Sequence, residues 1–290
     1  MKFSVIVPFL NEERYIERCI IALRAQTLPR VNYELIFVDN GSSDASAQIV
    51  RSYTDIILVE QPEVPRNVYA TRNRGLQIAT RDIMAFTDAD CQPAPDWLSQ
   101  IGAGMRRTGA DLALGRRLFA SAASRALRML EDYENAKVGY VVRACDARFR
   151  FGFGNNMAVR GDVFKALGPF AELPLSGDTE LVQRCAEQLA GARVAYLEEM
   201  VVEHLEVTSV IQWLQKLRTY GRHNRQVEEM RRDYEQLGMG AKMEIARQCA
   251  LANGYGPLRT ATFLCLLAVG NLFYAYGRHC TQRPSRGSAG

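Results

Sequence analysis

Residues 83–90 read Ile83-Met84-Ala85-Phe86-Thr87-Asp88-Ala89-Asp90. A short uncharged run of this kind suits a buried strand better than a helix. It ends in two carboxylates one residue apart, which can turn toward the same cation once the strand breaks. Mg²⁺ and Mn²⁺ favour such oxygens and bridge from them to substrate phosphates. Taken alone, Asp88-Ala89-Asp90 also fits a solvated acidic turn. The surrounding chain decides between the two readings.

Upstream, Phe3-Ser4-Val5-Ile6-Val7 is another nearly continuous apolar run, as expected of a parallel strand covered on both faces, and Pro8 ends it. Ile16, Cys19, Ile20 and Leu23 then recur at helical spacing until Pro29. Glu34–Val38 predicts a second strand, stopped by Asp39-Asn40-Gly41-Ser42-Ser43-Asp44, with Asp44 expected to cap a helix running to about Tyr53. Ile56–Val59 predicts a third strand and Val68–Ala79 a helix, before the fourth strand at Asp82–Thr87. This alternation implies a parallel sheet with helices on both faces and ligands bound beyond the carboxyl ends of the strands. Pro8–Glu12, Asp39–Ser43 and Asp88–Asp90 therefore converge on one rim. Later strands are expected at Asn155–Arg160 and Arg193–Leu197, and a helix from near Ser209 past Tyr220.

With 290 residues, 48% apolar and 23% charged, the chain suits one large α/β domain with or without an appendage. A net charge of +4 is too mild to indicate nucleic acid. Seven cysteines without a C-x-x-C pair read as free thiols in a reducing compartment. With the first strand starting at Phe3, no signal peptide is expected and the cytoplasm is the default. Ala261–Tyr276 is apolar without a polar face, just short of the roughly 20 residues of a membrane span. Extending it to 258–277 takes in Arg259, which can snorkel, while Arg278, Arg283 and Arg286 behind it suit an anionic membrane surface. A span, an interfacial helix and a core helix all fit the run.

Four segments in order and spacing resemble the family 2 glycosyltransferases: Val5-Ile6-Val7-Pro8-Phe9-Leu10-Asn11-Glu12, Phe37-Val38-Asp39-Asn40-Gly41-Ser42-Ser43-Asp44, Ala70-Thr71-Arg72-Asn73-Arg74-Gly75 and Phe86-Thr87-Asp88-Ala89-Asp90. The match covers about Met1 to Tyr220. It implies the GT-A type nucleotide-diphospho-sugar transferase fold, a Rossmann-like, mostly parallel sheet flanked by helices, with a C-terminal helical extension. Residues 1–230 would form the catalytic domain and 231–290 the extension.

The resemblance implies that Pro8, Glu12 and Asp39 line a nucleoside pocket, with Asp39 reading the base edge. It implies that Asp88 meets the ribose or donor sugar, that Asp90 binds Mn²⁺ or Mg²⁺, and that Arg72 and Asn73 lie near the nucleotide. Locally, Asp39 could equally stabilise its own turn, and Arg72 is an ordinary helix-face arginine. Leu10 stands where many members place a base-stacking aromatic residue. Ser176-Gly177-Asp178-Thr179-Glu180-Leu181 is similar to the family's E-D-x-E-L-like segment, which makes Asp178 the catalytic base. On its own terms Asp178 is an acid opening a helix. Gly177 replaces the first acid of that segment. His204 reads either as a structural histidine or, by resemblance, as a metal or diphosphate ligand, and Tyr220-Gly221-Arg222 resembles a terminal motif whose arginine meets phosphate.

Gln215-Lys216-Leu217-Arg218-Thr219 has Thr219 where processive synthases carry Trp, so single addition is expected. The expected partners are a nucleotide-diphospho-sugar donor, a lipid-linked or saccharide acceptor met by groups from the loops of Arg116–Gly154, and the cytoplasmic face of a membrane, engaged peripherally or by one span. No G-x-G-x-x-G follows the first strand, against a nicotinamide oxidoreductase, and no Gly-rich basic first loop supports a nucleotidyltransferase. A donor-binding scaffold with lapsed catalysis is the remaining alternative, with Gly177 in its favour.

Overall fold

The structure, a computed structural model, describes residues 1–61, 67–120, 124–146, 150–173, 176–230 and 237–279, with backbone alone over 223–230. Eight strands form one sheet: β1 (Phe3–Phe9), β2 (Tyr33–Asp39), β3 (Ile57–Glu60), β4 (Ile83–Thr87), β5 (Cys91–Pro93), β6 (Leu112–Phe119), β7 (Asn156–Arg160) and β8 (Val194–His204), in the order β3-β2-β1-β4-β7-β6-β8-β5. The helices are α1 (Ile16–Arg24), α2 (Ser46–Arg51), α3 (Val68–Ile78), α4 (Trp97–Thr108), α5 (Arg125–Ala144), α6 (Gly161–Leu167), α7 (Gly177–Gln188), α8 (Val210–Met230), α9 (Met239–Ala252) and α10 (Pro257–His279).

Strand periodicity explains why the first two runs are apolar throughout. Val5, Val7, Leu35 and Phe37 face a cluster built with α1 and α4, while Ile6, Ile36 and Val38 face a second cluster on the other side with α3, α6 and α7. Where α3 crosses the sheet, Gly75 lies so close that a Cβ there would stand 2.5 Å from Ile6 Cγ2. This is the physical need behind the glycine of Ala70–Gly75.

The N-terminal half is parallel: β1 with β2 and β4, and β2 with β3. In the C-terminal half β7 is antiparallel to both β4 and β6, and β6 runs parallel to β8. Phe9 pairs with Asp39 and Asp39 with Glu60, so three strands end flush. Because Ile6 pairs with Phe86, Asp88 emerges level with Pro8. The three polar loops therefore share one rim, as their strand ends predict.

β8 is longer than its predicted Arg193–Leu197 core. Its pairing with β6 slips at Gly115/Arg116 and then resumes from Val201 to His204. Exposed Glu198 and Glu199 mark the bulge, which disguises the continuation as a loop. Asp44 does not sit at the N-cap of α2, which is Ala45; it lies one residue earlier and accepts the Ser46 N–H at 3.0 Å.

The C-terminal helices pack onto the rest of the chain. α9 meets α5 through Met129, Tyr133, Ile245 and Cys249, and Phe263 of α10 completes that cluster. α10 crosses α8 so closely that a Cβ on Gly277 would meet the Arg218 carbonyl, and one on Gly270 the Trp213 ring. Phe263, Gly270 and Gly277, seven residues apart, form its buried stripe. The outer side, with Leu258, Leu272 and Tyr276, is exposed. This helix is long and apolar enough to cross a membrane by length and composition, at a mean hydropathy of 1.4. Arg283 and Arg286 lie outside the described residues.

Candidate active site

The first two rim loops are stitched together. Asn11, at a positive φ of 57°, accepts the Ser43 N–H through Oδ1, while its own N–H donates to Ser42 Oγ. The Glu12 N–H donates to Ser46 Oγ at 2.7 Å, and the Glu13 N–H to Asp44. Peptide groups at the strand ends are thereby satisfied, leaving the Glu12 carboxylate to face inward. Pro8, Leu10, Glu12, Asn40, Asp88 and Asp90 line a cleft of about 270 Å³.

Carboxylates crowd this cleft. Burial, with Asp90, Glu206, Asp88 and Asp44 nearby, pushes the Glu12 carboxyl up to about 7. Behind the cleft Arg72, only 3% exposed, donates to Asp88 Oδ1 at 2.6 Å. Its guanidinium also lies over the Tyr69 ring and so close to Gly154 that no Cβ would fit there. The cleft thus has an acidic floor with the buried Arg72 behind it, a field that attracts a cation with an anion in tow.

The pairing of Cys91 with His204 in β5–β8 brings the imidazole to Asp90. His204 Nε2 lies 3.4 Å from Asp90 Oδ2 and 3.1 Å from Lys216 Nζ, and the lysine is paired to Glu206 at 2.8 Å. Burial first, then the Lys216 charge, pushes the His204 pKa down to about 3. The ring is therefore neutral at physiological pH, and its lone pair can ligate a metal. Donor atoms of Asp90, Cys91 and His204 all lie within 4.8 Å of one another. The Cys91 thiol is held protonated by burial and the adjacent carboxylates and donates to Asp90 Oδ1, so it orients the carboxylate rather than ligating. One carboxylate and one neutral imidazole fit Mn²⁺ or Mg²⁺, with remaining positions open to phosphate.

The neutral His204 has a measurable consequence in protein kept metal-free with chelator. Its folded pKa lies below the unfolded value of 6.5, so the unfolded chain takes up the proton first and stability falls as pH drops. Between pH 6.5 and 4.5 this one group is expected to cost about 2 kcal/mol. Urea unfolding of wild type and His204→Gln at both values checks this; equal losses in the two proteins would exclude it.

Asp178 sits in the first turn of α7, behind Ser176 in the left-handed conformation. Its Oδ1 accepts from Thr179 N at 2.8 Å and from the Tyr69 hydroxyl at 3.1 Å, and its Oδ2 accepts from Gly154 N at 2.8 Å. Burial raises its pKa, opposed by Arg72 and these donors. A carboxylate so raised and so fixed is a better proton acceptor than a solvated one. A Cβ on Gly177 would stand 2.5 Å from the Ala171 carbonyl and 2.8 Å from the Tyr69 ring, so the missing acid is explained by packing. Asp178 and His204 both line a second cavity of about 330 Å³. The His204–Asp90 contact joins the two cavities.

The model for glycosyl transferase family 2 matches residues 4–168. The chain belongs to this family. It is 31% identical over 217 residues to the glycosyltransferase AglE of Haloferax volcanii, covering 69% of this chain and 66% of AglE. It spans only 19% of the poly(ribitol-phosphate) beta-glucosyltransferase of Bacillus spizizenii, at 29% identity over 40% of this chain. Among solved structures it is similar to the mannosyltransferase PcManGT of Pyrobaculum calidifontis in complex with GDP-Man and Mn²⁺, at a TM-score of 0.59 and 20% identity, over 93% of this chain and 75% of that one. TarS 1–349 of S. aureus in complex with UDP-GlcNAc gives a TM-score of 0.56 at 19% identity, over 94% of this chain and 82% of that one. These likenesses show the GT-A type fold.

Family 2 motifs and cavity geometry overlap unevenly. Pro8, Glu12, Asp88 and Asp90 line the first cavity together, with Arg72 bonded to Asp88 behind them. Asp39 is buried beneath, its Oδ1 taken by the Ser42 N–H and hydroxyl, and its neighbour Asn40 lines the cleft instead, with a buried Oδ1 that has no partner. Asn73 does not line the cleft: its Nδ2 donates to the Phe170 carbonyl and Glu172, and its Oδ1 accepts the Phe170 N–H, so it anchors the 170–172 segment. Arg222 lies farther along α8 than Lys216 and lines neither cavity. Asn40 lies in the predicted rim loop but is not among the residues the sequence points to, whereas Tyr69 and Lys216 carry no sequence signal for these positions, and only the fold brings Tyr69 to Asp178.

Proposed function

We propose that this chain moves a single sugar from a nucleotide-diphospho-sugar to an acceptor hydroxyl with inversion. The observation that carries this reading is the junction of two cavities at Asp90 and His204, one floored by carboxylates and the other holding a buried carboxylate, Asp178. The nucleoside would lie against Pro8, Leu10 and Asn40, within reach of the Asn40 Oδ1. Asp90 and His204 would hold Mn²⁺ or Mg²⁺, which when bound neutralises diphosphate charge. Asp178 accepts the proton of the acceptor hydroxyl as that oxygen bonds to the anomeric carbon. The carbon–oxygen bond to the diphosphate breaks, and its electron pair leaves with the nucleotide. Arg72 holds Asp88 in place for the donor ribose or sugar.

Single addition accords with Thr219 and with α10 as the one helix among the described residues that is apolar and long enough to span a membrane. Its exposed outer side supports attachment at the cytoplasmic membrane face, with the catalytic domain at 1–230 and the remainder as an extension. The lapsed-catalysis alternative loses its main support, because Gly177 answers to the space Tyr69 occupies.

PcManGT is described with GDP-Man and TarS with UDP-GlcNAc, so both bases belong in the test. UDP- and GDP-sugars offered with Mn²⁺ or Mg²⁺ are expected to release nucleoside diphosphate, and the same nucleotides should bind by calorimetry. Absence of both release and binding across the panel would overturn the assignment; binding without any release would favour the scaffold.

A further inference from the structure

The second cavity extends away from Asp178 between α5, α8 and α10. Gly152 packs against Asp178, and the lining also takes in Phe151, Glu134, Lys137 and Lys242 with the apolar Leu237 and Leu267. Lys137 Nζ is paired to Glu134 at 2.6 Å. Lys242 is half-buried, and its Nζ meets only the neutral Asn271 Oδ1, at 3.4 Å, with no carboxylate partner among the described residues. Burial and the neighbouring Lys137 lower its pKa, opposed by the single Glu134 carboxylate, and Arg278 lowers it further, so cations outnumber carboxylates at this corner of the cavity. Such a group is costly to keep unless an anion completes it.

Leu267 belongs to α10, whose opposite side exposes Leu258, Leu272 and Phe273. A molecule with its anion at the lysines therefore meets apolar surface on α10, a helix that is apolar on its outer side as well. A free saccharide would use neither feature.

We infer that the second cavity binds a lipid-linked acceptor: a sugar hydroxyl at Asp178, a phosphate or diphosphate between Lys137 and Lys242, and a hydrocarbon chain leaving along α10. This rests on the transfer reading above, in which Asp178 meets the acceptor. The lysines act as positioning residues for the acceptor; the bond-making step is unchanged.

The test uses the full-length protein and dodecyl phosphate as probe, below its micelle concentration, with inorganic phosphate and 1-dodecanol as controls. Dodecyl phosphate is expected to bind roughly tenfold or more tightly than either control, since chain burial and a charge-assisted contact each contribute. Lys242→Gln should weaken it by roughly tenfold, Lys242→Arg should restore most of that loss, and thermal melts should confirm that both variants fold. Equal binding of dodecyl phosphate and phosphate would remove the chain, and equal binding of dodecyl phosphate and dodecanol would remove the lysines. Either result, or indifference to Lys242→Gln, overturns the inference. UDP and GDP titrations on the same samples separate the two readings. If both nucleotides fail to bind, the transfer reading falls; if either binds while the probe fails these criteria, only the lipid-linked acceptor falls.

Discussion

Replacing Asp178 with asparagine is expected to lower sugar transfer by roughly 10²- to 10⁴-fold while donor affinity survives, the usual worth of a positioned base. The effect is large because nothing nearby can take over. Among the groups bonded to the carboxylate, the Tyr69 hydroxyl, Thr179 N–H and Gly154 N–H are all donors, so none can accept the proton. Asparagine can keep the bonds at Oδ1 through its own carbonyl. Its amide nitrogen would then face the Gly154 N–H, donor against donor, at a cost of about 1–3 kcal/mol in stability. A thermal melt beside the assay separates that loss from the catalytic one.

The pH profile adds an independent readout. Since burial holds Asp178 above the ordinary carboxylate range, the acid limb of transfer should lie higher than for a solvated aspartate. Tyr69→Phe removes a bond to the charged form, which raises the pKa further and moves that limb to still higher pH. Near-normal transfer by Asp178→Asn would refute the base assignment. An unchanged anomeric configuration in the product, read by NMR, would refute the single displacement even if Asp178 proved essential.

The strands that build the donor rim are legible because each is buried on both sides. In β1, β2 and β4 every residue but Glu34 is buried, so the sequence has no polar alternation to confuse with a loop. Their flush ends follow, and with them the convergence of Pro8, Asp39 and Asp88. β5 was not legible, since Cys91-Gln92-Pro93 is a strand only by virtue of its partner β8. That partner continues through a bulge no local pattern announces, and His204 stands at its far end. The direction of β7 was equally hidden, because the long α5 and the loop behind it can return the chain either way. Acceptor groups were expected in loops of Arg116–Gly154, yet much of the cavity wall there is helical, with Tyr133, Asn135 and Lys137 on α5. Nor does the apolar run of α10 disclose that one stripe of it closes this cavity. Contacts between elements distant in sequence leave no periodic trace, and Tyr69 with Asp178, 109 residues apart, is the clearest case.

Asp90→Ala is expected to abolish most of the metal-dependent part of nucleoside diphosphate binding. Loss of an outer-sphere partner typically costs a metal site roughly 10- to 100-fold, and removing a ligand should cost at least as much. Here the loss is compounded, because Asp90 is also the carboxylate next to His204 and opposite Lys216. Without it, the Lys216 ammonium is left 3.1 Å from the imidazole with less negative charge to hold a divalent cation beside it. The measurement is calorimetric titration of UDP and GDP with Mn²⁺ and then with chelator. Wild type should lose affinity in chelator, and Asp90→Ala should bind alike in both. Asp39→Ala, whose carboxylate supports the nucleoside side of the rim through Ser42, should weaken binding to the same degree with or without metal. If chelator leaves wild-type affinity intact, the carboxylate floor of the cleft has some purpose other than holding a cation for the diphosphate. Lys216, already seated beside His204 and Glu206, would then be the cation that meets the leaving group.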